Sequence, residues 1–454
     1  VKSFLKYPKF KKEVNEKALK HYLVFQYNPL EETFFKGVKK LRPGHYYIFE
    51  NGKLEIKSYY NISLDYKEMT FDEAVSKIEK EVEESVRYHK ISDVEVGSFL
   101  SSGVDSSFIA ASSDVDKTFT VGFNNEKYSE ISYAKDLSSK IDTQNLSKVI
   151  TKDEYFKNLP NILYYMDEPL ADPSAIALYF VTKLASENVK VSLSGEGADE
   201  IFGGYNIYQE PLTDSWYYKI PYPVRFTIGK IASVFPHKRG INFLIRRGKK
   251  LEDRFVGNAF IFNNKEVTKL LKGKRQTKGF QELTKPYYDK VKDKDDITKM
   301  QYIDFNFWLI GDILLKADKM SMANSLELRV PILDKEVFKL ASTIPTEYKI
   351  SHDTTKYVLR QAASKRIPEA WYKRRKKGFP VPIIKWFREE KYYNIAKEMF
   401  EQDFTKEFFN QKALLKMLDD HYKGKKNYCR KIWTVYVFLV WYKDFFVDFD
   451  KQTA

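Results

Sequence analysis

The sequence predicts an α/β fold, in which a parallel sheet carries helices on both faces and is followed by a mainly helical C-terminal part. Strand-like and helical patterns alternate between about residues 70 and 200, which is typical of parallel sheets. Two short strands end in turns rich in glycine and serine, where open parallel sheets bind ligands. After Pro211 the pattern is mainly helical and is interrupted by prolines. A small β-rich section is expected before the sheet.

The first section, residues 1–65, combines one helix with one hairpin. A helix is expected over Asn15–Phe25, and strand-like runs follow at His45–Glu50 and Leu54–Tyr60. An Asn-Gly pair joins the two runs, which is a strong hairpin signal. We therefore expect a separate small unit here, with a second domain over residues 66–454.

The alternating pattern begins after this section. Phe71–Tyr88 is expected to be an amphipathic helix, because its apolar residues recur at helical spacing. The next expected strands are Val94–Leu100 and Thr118–Phe123, and the next expected helices are Ser107–Ser112 and Ile131–Lys140.

Composition limits the class of protein. At 454 residues the chain is long enough for two or three domains, and 43% hydrophobic residues support a sizeable core. The single cysteine, Cys429, excludes an internal disulfide and a cysteine-rich zinc site, so a cytoplasmic protein is expected. The most apolar run, Ile432–Tyr442, is too short to span a bilayer. We expect this run to form a buried helix, and we expect no membrane partner.

The net charge of +15 raises the question of nucleic-acid binding. Basic clusters lie at His237–Arg239, Arg246–Lys250 and Lys373–Lys377. No fingerprint of a nucleic-acid module accompanies them. The first two clusters are interpreted as solvated faces, and no nucleic-acid partner is expected.

The strongest functional signal is the turn Leu100–Ser107, with the sequence LSSGVDSS. It joins a predicted strand to a predicted helix, so free backbone N–H groups and the positive end of the helix dipole surround one point. Gly103 lets the backbone approach a ligand closely. Four serines add hydroxyl donors: Ser101, Ser102, Ser106 and Ser107. This point suits a polyanion, although the pattern also fits a serine-rich turn that only starts a helix.

Asp105 is the exception in this turn, because a carboxylate repels phosphates unless a cation lies between them. We therefore interpret Asp105 as a Mg²⁺ ligand. The turn lacks the lysine followed by serine or threonine that marks the phosphate loop of kinases and GTPases, so it is not that loop.

A second glycine-rich turn follows the short predicted strand Lys190–Leu193. It runs from Ser194 to Tyr205 with the sequence SGEGADEIFGGY. Its carboxylates are Glu196, Asp199 and Glu200. This is again the position where an open parallel sheet binds ligands.

Together the two turns resemble the signatures of the asparagine synthetase family, within the ATP pyrophosphatase superfamily. LSSGVDSS is similar to the superfamily's pyrophosphate loop, SGGxDSS, and SGEGADEIFGGY matches the family's second signature almost residue for residue. Three further segments resemble family motifs in the expected order: Asp167–Ser174, Lys316–Asp334 and Arg374–Phe379. The resemblance implies the adenine nucleotide α-hydrolase-like fold.

The resemblance also implies a reaction. The side-chain carboxylate of aspartate would attack the α-phosphorus of ATP, giving β-aspartyl-AMP and pyrophosphate, and ammonia would then displace AMP to give asparagine. ATP and Mg²⁺ are the implied cofactors, with Asp105 and Asp199 as metal ligands. The residues expected to contact ATP or pyrophosphate are Leu100, Ser101, Gly103, Asp105, Ser106, Ser107, Val121, Ser194 and Gly195.

Two residues are expected to take part in the chemistry. Glu196 matches a family glutamate that is important for forming or consuming the acyl-adenylate, and a carboxylate there could accept a proton from the attacking ammonia. Lys376 matches a family lysine that compensates negative charge at the α-phosphate. The alignment of this lysine rests on its neighbours, so Lys377 is the alternative.

A further group of residues is open between two interpretations. They could shape the acceptor site, or they could form buried ion pairs that hold helices together. The group comprises Asp172, Ser174, Asp318, Glu327, Arg329 and Asp334. Val121 is open in the same way, because a core valine would fit its strand as well as an adenine contact does.

The expected function is amide formation from aspartate, ATP and ammonia. The five motifs describe ATP better than they describe the acid. Another carboxylic acid, such as a sugar acid or a secondary-metabolite precursor, is therefore an alternative acceptor. A catalytically silent binding or regulatory subunit is the alternative of another class.

The source of ammonia is a separate question. Residues 1–65 resemble the end of the family's glutaminase domain through the segment Arg42–Tyr46. Val1 is not the nucleophilic cysteine with which that domain begins. We therefore expect a fragment, a separate glutaminase chain or the use of free ammonia, and a homodimer is a further arrangement the resemblance allows.

Overall fold

The computed structural model describes residues 1–124, 128–235, 238–272, 279–375, 378–379 and 381–448. Its strands are β1 (His45–Glu50), β2 (Lys53–Ser58), β3 (Val96–Phe99), β4 (Lys117–Phe123), β5 (Gln144–Ile150), β6 (Val191–Leu193) and β7 (Glu327–Arg329). Strands β3 to β7 form one sheet with the spatial order β5–β4–β3–β6–β7, and every neighbouring pair is parallel. The predicted α/β class with a parallel sheet is confirmed.

The order of the strands reverses beside β3. The chain passes from β3 to β4 and β5 on one side, and then returns to place β6 and β7 on the other side. Strands β3 and β6 are therefore neighbours, with Ser98 opposite Leu193. Open parallel sheets bind ligands outside the carboxyl ends of the strands at such a reversal. Both glycine-rich turns begin at these two strand ends.

Helices account for most of the remaining structure. From the N-terminus to the second glycine-rich turn they are α1 (Glu16–Phe25), α2 (Phe71–His89), α3 (Val104–Ser113), α4 (Ile131–Lys140), α5 (Lys152–Met166), α6 (Ser174–Ser186) and α7 (Ala198–Ile201). The next helices are α8 (Glu210–Thr213), α9 (Ser215–Tyr218), α10 (Tyr222–Ala232), α11 (Arg239–Arg247), α12 (Asn264–Leu270), α13 (Gln281–Lys290), α14 (Asp296–Asn306) and α15 (Leu315–Met322). The last are α16 (Lys335–Thr343), α17 (Thr346–Lys349), α18 (Tyr357–Ala363), α19 (Glu369–Tyr372), α20 (Ile383–Trp386), α21 (Glu390–Glu401), α22 (Thr405–Phe408), α23 (Gln411–Tyr422) and α24 (Cys429–Tyr442).

The helices α3, α4 and α6 pack directly on the sheet, and α2 packs on α3. Helix α2 begins with a capping box, in which Thr70 and Glu73 satisfy each other's backbone N–H groups. The expectations for α1, α2, α4 and β4 agree with the structure to within one residue at each end. Strands β5 and β7 were not expected, so the sheet is larger than the sequence analysis predicted.

The N-terminal section packs against the C-terminal helix α24, which is buried as the apolar run predicted. The Tyr22 hydroxyl donates to the carbonyl of Thr434 at 2.8 Å. The rings of Phe34 and Trp441 have centroids 5.1 Å apart. Among the helices of the described residues, none combines the length and apolarity that crossing a membrane requires.

Strands β1 and β2 form a separate hairpin, which we call the β1–β2 hairpin. Its turn residues Asn51 and Gly52 have φ values of 50° and 75°, so both adopt the left-handed conformation that a tight hairpin turn requires. Every residue of the two strands except His45 is exposed. The hairpin therefore leaves tyrosine, phenylalanine, leucine and isoleucine side chains uncovered on both faces.

Candidate active site

The first loop, Leu100–Ser107, leads from β3 into α3. Gly103 is the N-cap of α3, and no side chain in the described part of the chain caps this helix end. Inside the loop, the Ser101 hydroxyl accepts a hydrogen bond from the Gly103 N–H at 3.1 Å and lies 2.7 Å from the Ser106 hydroxyl. The loop is thus shaped by its own serines. The N–H groups of the first helical turn are left to receive an anion.

The second loop, Ser194–Tyr205, follows β6. The Ser194 N–H donates to the carbonyl of Arg329 at 2.9 Å, which ties the start of the loop to β7. Gly197 has φ = +88°, and a Cβ there would lie 2.5 Å from the side chain of Leu333. This position therefore requires glycine for both its conformation and its packing.

The two loops are in direct contact. A Cβ on Gly195 would lie 2.9 Å from the Cβ of Asp105 and from the backbone nitrogen of Ser106. Leu100 is buried beside the next strand and donates its N–H to the carbonyl of Phe119 in β4 at 2.9 Å. Val121 is buried in that strand. The structure thus brings both motifs together at the carboxyl ends of neighbouring strands, although about ninety residues separate them along the chain.

Lys356 joins the two loops electrostatically. Its Nζ lies 2.5 Å from Oδ2 of Asp105 and 2.7 Å from Oδ1 of Asp199. The lysine is 1% exposed and has φ = +55°, an uncommon conformation for a residue with a side chain. Gly204 provides the space, because a Cβ there would overlap Asp199 Oδ1 and the Lys356 side chain. The two expected metal ligands therefore face one cationic group.

One carboxylate oxygen in this cluster is not satisfied by protein. Oδ1 of Asp105 is buried, and no donor among the described residues reaches it. No set of three or more histidine, cysteine, aspartate or glutamate side chains within the described ranges is arranged to hold a metal. An ion at this point would therefore need further ligands in addition to the side chains of Asp105 and Asp199.

Arg360, in α18, lies near the same two carboxylates. Burial lowers the pKa of its guanidinium, while the charges of Asp105 and Asp199 act in the opposite direction. Its NH1 donates to the carbonyls of Tyr372 at 2.6 Å and of Arg374 at 2.7 Å. Arg360 thus fixes the backbone that leads into the segment resembling the family's lysine motif.

The expected catalytic lysine, Lys376, and its alternative, Lys377, lie outside the described residues. The residues on either side of them are described. The guanidinium of Arg374 lies 3.5 Å from the centre of the Tyr133 ring. The Phe379 ring packs edge-on against Phe123, at the carboxyl end of β4, with centroids 5.9 Å apart.

A second buried charge cluster surrounds Lys316. Its Nζ lies 2.5 Å from Oδ2 of Asp172 and 3.1 Å from Oδ1 of Asp312. Burial alone would lower the pKa of Lys316, but the charges of Asp172, Asp312 and Glu196 raise it well above the ordinary value. The Ser174 N–H donates to Asp172 at 3.0 Å. Asp172 thus forms the predicted buried ion pair, and Glu196 lies within electrostatic reach of it.

Among the described residues, the remaining four members of the open group form no buried ion pair that joins two helices. Glu327 is exposed on the edge strand β7 and pairs with Arg329 at 2.7 Å. Arg329 also donates to the carbonyl of His89 at 2.8 Å, beside the end of α2. Asp334 caps α16 by accepting a backbone N–H. Asp318 is exposed on α15. The contacts of these four residues support no role at the acceptor site.

Sequence reasoning missed three cations of the site. Lys316 opens one of the segments that resemble family motifs, so a signal for it was present. Lys356 and Arg360 lie between two such segments, and nothing in their neighbours distinguishes them among 77 lysines and arginines. The carboxylate of Glu130 was also missed, and it accepts a hydrogen bond from the buried Ser102 hydroxyl.

Comparison with known families agrees with this geometry. A family model described as asparagine synthase matches residues 77–443, which include both loops, Lys316, Lys356 and Arg360. A model described as a glutamine amidotransferase domain matches residues 1–60, which include the β1–β2 hairpin.

Individual relatives match over most of the chain. Asparagine synthetase (glutamine-hydrolyzing) 1 of Bacillus subtilis (strain 168) is 43% identical over 436 residues, covering 95% of this chain and 69% of the relative. A provisionally named glutamine-hydrolyzing asparagine synthetase of Mycobacterium tuberculosis (strain ATCC 25618 / H37Rv) is 40% identical over 450 residues, covering 96% of this chain and 68% of the relative. With its two loops meeting at the reversal of a parallel sheet, and with these matches, the chain belongs to the asparagine synthase family.

Proposed function

We propose that the chain is a ligase that converts aspartate and ammonia to asparagine, with cleavage of ATP to AMP and pyrophosphate. The observation that carries the proposal is the contact between the two loops. Gly195 lies against Asp105 and Ser106, so one ligand would meet both motifs. Similarity to named asparagine synthetases along most of the chain supports aspartate as the acid.

The first loop is proposed to hold the pyrophosphate part of ATP. The uncapped N-terminus of α3 supports this role, because its N–H groups and helix dipole favour a polyanion. The adenosine part would lie beside Leu100 and Val121, on neighbouring strands, with Ser194 and Gly195 across from them.

Asp105 and Asp199 are proposed to hold Mg²⁺ together with the phosphates. The residues present fit this ion, because Asp105 keeps one buried oxygen without a protein donor and both carboxylates already face one cation, Lys356. Magnesium usually keeps waters and substrate phosphates and needs only one or two protein carboxylates. When bound, the ion would neutralise charge on the triphosphate.

The chemistry then requires few protein groups. A carboxylate oxygen of aspartate forms a bond to the α-phosphorus while the bond to pyrophosphate breaks, which yields β-aspartyl-AMP. Ammonia next attacks the acyl carbon, and AMP leaves with the electrons of the acyl–oxygen bond. We propose that Glu196 accepts the proton released by the nitrogen, and that Lys376 compensates charge at the α-phosphate.

The chain needs a source of ammonia. Its single cysteine, Cys429, is buried in α24, and burial raises the pKa of its thiol to about 12. Such a thiol does not serve as the nucleophile of a glutaminase. We therefore propose that this chain by itself uses ammonium and does not use glutamine. Where a glutaminase unit supplies ammonia, the exposed β1–β2 hairpin supports contact with that unit, because it falls within the amidotransferase match.

The direct test measures pyrophosphate and AMP released from ATP with Mg²⁺, ammonium and one carboxylic acid at a time. With L-aspartate and ammonium, we expect pyrophosphate and AMP to be released in amounts equal to the asparagine formed. When glutamine replaces ammonium, we expect no asparagine and no release. Release of ADP would contradict the family chemistry. Release with L-glutamate or glucuronate but not with aspartate would assign the chain another acceptor.

The variant Asp105→Asn tests the first loop. It preserves the size of the side chain but removes a charge from the proposed ion site, so we expect pyrophosphate release to fall by about a hundredfold or more. The matched control is Asp136→Asn, which changes an exposed aspartate on α4 whose one ion pair within the described part of the chain is with Lys140, at 2.6 Å. Near-normal turnover of Asp105→Asn, with a normal unfolding temperature, would remove Asp105 from the site.

A further inference from the structure

Residues 215–250 combine strong positive charge with an absence of acidic residues. They contain nine lysines and arginines but neither aspartate nor glutamate. With 62 acidic residues in 454, a stretch of this length would ordinarily contain about five. The structure describes residues 215–235 and 238–250 of this stretch, which form α9, α10 and α11, and we call these two ranges the basic helical segment.

The same segment exposes large apolar side chains. They are Trp216, Val224, Phe226, Ile231, Val234 and Phe235. Val234 is 79% exposed and Trp216 is 61% exposed. In α10, Val224 and Ile231 are seven residues apart, so they lie on one face of the helix. Single exposed apolar residues need no explanation, but six large ones within twenty residues of sequence favour an interaction surface.

The segment is a fixed structure rather than a loose extension. A Cβ on Gly248 would lie 2.7 Å from the carbonyl oxygen of Arg225 and 3.0 Å from the Cα of Gly229, so α10 and the end of α11 are closely packed. Arg225 donates to the carbonyl of Arg247 at 2.8 Å. Arg247 in turn lies 2.6 Å from Glu210, which precedes the segment. The surface is therefore held in place by the rest of the molecule.

Several cations of the segment are not used in this internal packing. Lys219, Lys230 and Lys238 are exposed. Within the described ranges, none of these three lysines forms an ion pair, whereas Lys250 lies over the Tyr222 ring of α10 at 5.4 Å. Their charge is therefore available to an external anionic surface, beside the exposed apolar side chains.

We propose that the basic helical segment binds the surface of an anionic lipid bilayer. Helices that lie in a membrane interface present aromatic and aliphatic side chains to the lipid and lysines to the headgroups. Tryptophan is enriched at the depth of the headgroups, where Trp216 would lie. Anionic headgroups complement a stretch of residues 215–250 that carries no negative charge of its own. The chain would lie on the membrane and not cross it.

The observations favour lipid over nucleic acid. A nucleic-acid backbone would engage the lysines, but it gives no role to the exposed aliphatic side chains of Val224, Ile231 and Val234. The sequence expectation of no membrane partner rested on the absence of a spanning run. It did not address binding at the interface, which depends on side-chain exposure that the sequence does not show.

The test measures sedimentation of the full chain with vesicles at about 150 mM salt, where long-range charge attraction is screened. Vesicles of phosphatidylcholine with equal phosphatidylglycerol are compared with vesicles of phosphatidylcholine alone. The first variant replaces Ile231, Val234 and Phe235 by serine. Its matched control replaces Phe49, Leu54 and Ile56 of the β1–β2 hairpin by serine, because those side chains are similarly exposed.

We expect the chain to bind the anionic vesicles and to bind neutral vesicles at least about tenfold more weakly. The first variant should bind anionic vesicles about tenfold or more weakly, while the control binds like the unaltered chain. Three results would overturn the proposal: no binding to anionic vesicles, undiminished binding of the first variant, or an equal loss in the control. Undiminished binding that duplex DNA competes away would assign the surface to polyanions in general. Pyrophosphate release with aspartate should be unchanged in both variants, which separates this proposal from the proposed function.

Discussion

Lys356 shows how one side chain outside both loops balances the charges that the two loops bring together. Asp105 and Asp199 come from different loops, and two carboxylates this close would repel each other without a cation. Lys356 provides that cation from a buried position, in a left-handed backbone conformation that costs about 1 kcal/mol or more. The two ion pairs that Lys356 forms in this conformation offset its backbone cost.

Replacing this lysine should have an effect even without ATP. In Lys356→Gln, two half-buried carboxylates lose the cation that lies between them, so we expect the free energy of unfolding to fall by about 2 kcal/mol. Mn²⁺ added without nucleotide should restore part of the lost unfolding free energy. Titration of Mn²⁺ followed by electron paramagnetic resonance should show tighter binding to the variant than to the unaltered chain. The control, Lys365→Gln, removes an exposed lysine that pairs with Glu79 at 2.6 Å, and its cost should stay below about 1 kcal/mol. Equal stability of the two variants would contradict the assignment.

Lys349 gives a prediction about pH. It is buried in α17, with Nζ 5.5 Å from the centre of the Tyr66 ring, and burial lowers its pKa from 10.5 to about 7. Above this pH the folded protein lacks a proton that the unfolded chain still binds, so stability rises with pH. Between about pH 7.5 and 9, the unaltered chain should gain about 2 kcal/mol relative to Lys349→Met. Denaturant unfolding of both proteins measures this difference, and parallel pH profiles would contradict it.

At the scale of elements, the sequence predicted those strands, turns and helices whose pattern is contained in one short segment. The strand–turn–helix at Leu100–Ser107 was predictable because an apolar strand, a glycine turn and a helix start are adjacent. Strand β5 was missed because four of its seven residues are polar: Gln144, Asn145, Ser147 and Lys148. Strand β7 was missed because its three residues, Glu327–Arg329, are too few to show a period. Glu327 was an acceptor-site candidate through its family-like segment, and the structure places it on this edge strand.

We predict that helix α18 holds the backbone at Tyr372 and Arg374 in position through Arg360. Arg360 donates from NH1 to the carbonyls of Tyr372 and Arg374 and from Nε to the carbonyl of Thr355 at 2.6 Å, and a lysine has no second nitrogen with which to make both sets of bonds. We expect Arg360→Lys to lower pyrophosphate release about tenfold or more. Trypsin should also cleave faster within Lys373–Lys377, where every residue is a cleavage site.

The control for this prediction is Arg366→Lys. Arg366 is half-exposed and pairs with Glu83 at 2.6 Å, so its replacement should change neither turnover nor cleavage. Unchanged cleavage within Lys373–Lys377 in Arg360→Lys would show that the segment is held by other contacts.

At the scale of the whole molecule, the N-terminal section is tied to the rest of the chain through buried charge. Glu168 accepts hydrogen bonds from the Asn28 side chain at 2.9 Å and from the Phe34 N–H at 2.7 Å, and its Oε2 lies 2.7 Å from Lys40 Nζ. Glu168 belongs to a segment that resembles a family motif. The segment Asp167–Ser174 thus has a structural role, because Glu168 binds the N-terminal section, while Asp172 in the same segment pairs with Lys316.

Removing this link should destabilise the chain as a unit. In Glu168→Ala, the Phe34 N–H and the Asn28 amide lose a buried acceptor, so we expect the unfolding free energy to fall by about 3 kcal/mol. The control, Glu13→Ala, removes an exposed pair with Lys36 at 2.8 Å and should leave the unfolding temperature nearly unchanged. Calorimetry should show one transition at a lower temperature for Glu168→Ala. An unchanged transition temperature would contradict this role for Glu168.

The convergence of the site was the part that the sequence could not establish. Strand order decides whether two turns are neighbours, and it depends on pairing between distant segments rather than on local pattern. The neighbouring positions of β3 and β6 bring Gly195 against Asp105, and the return of the chain at α18 adds Lys356. A cation such as Lys356, which reaches the two carboxylates from a distant part of the chain, has no local sequence pattern that marks it.

The burial of Cys429 has a practical consequence for experiments on this molecule. Its thiol is the only one in the chain, it is buried at the first residue of α24, and burial raises its pKa to about 12. Maleimide reagents require an accessible thiolate, so they should leave the folded chain unlabelled. A cysteine introduced at an exposed position would then carry a fluorophore or spin label at a single known place, without prior removal of the native one.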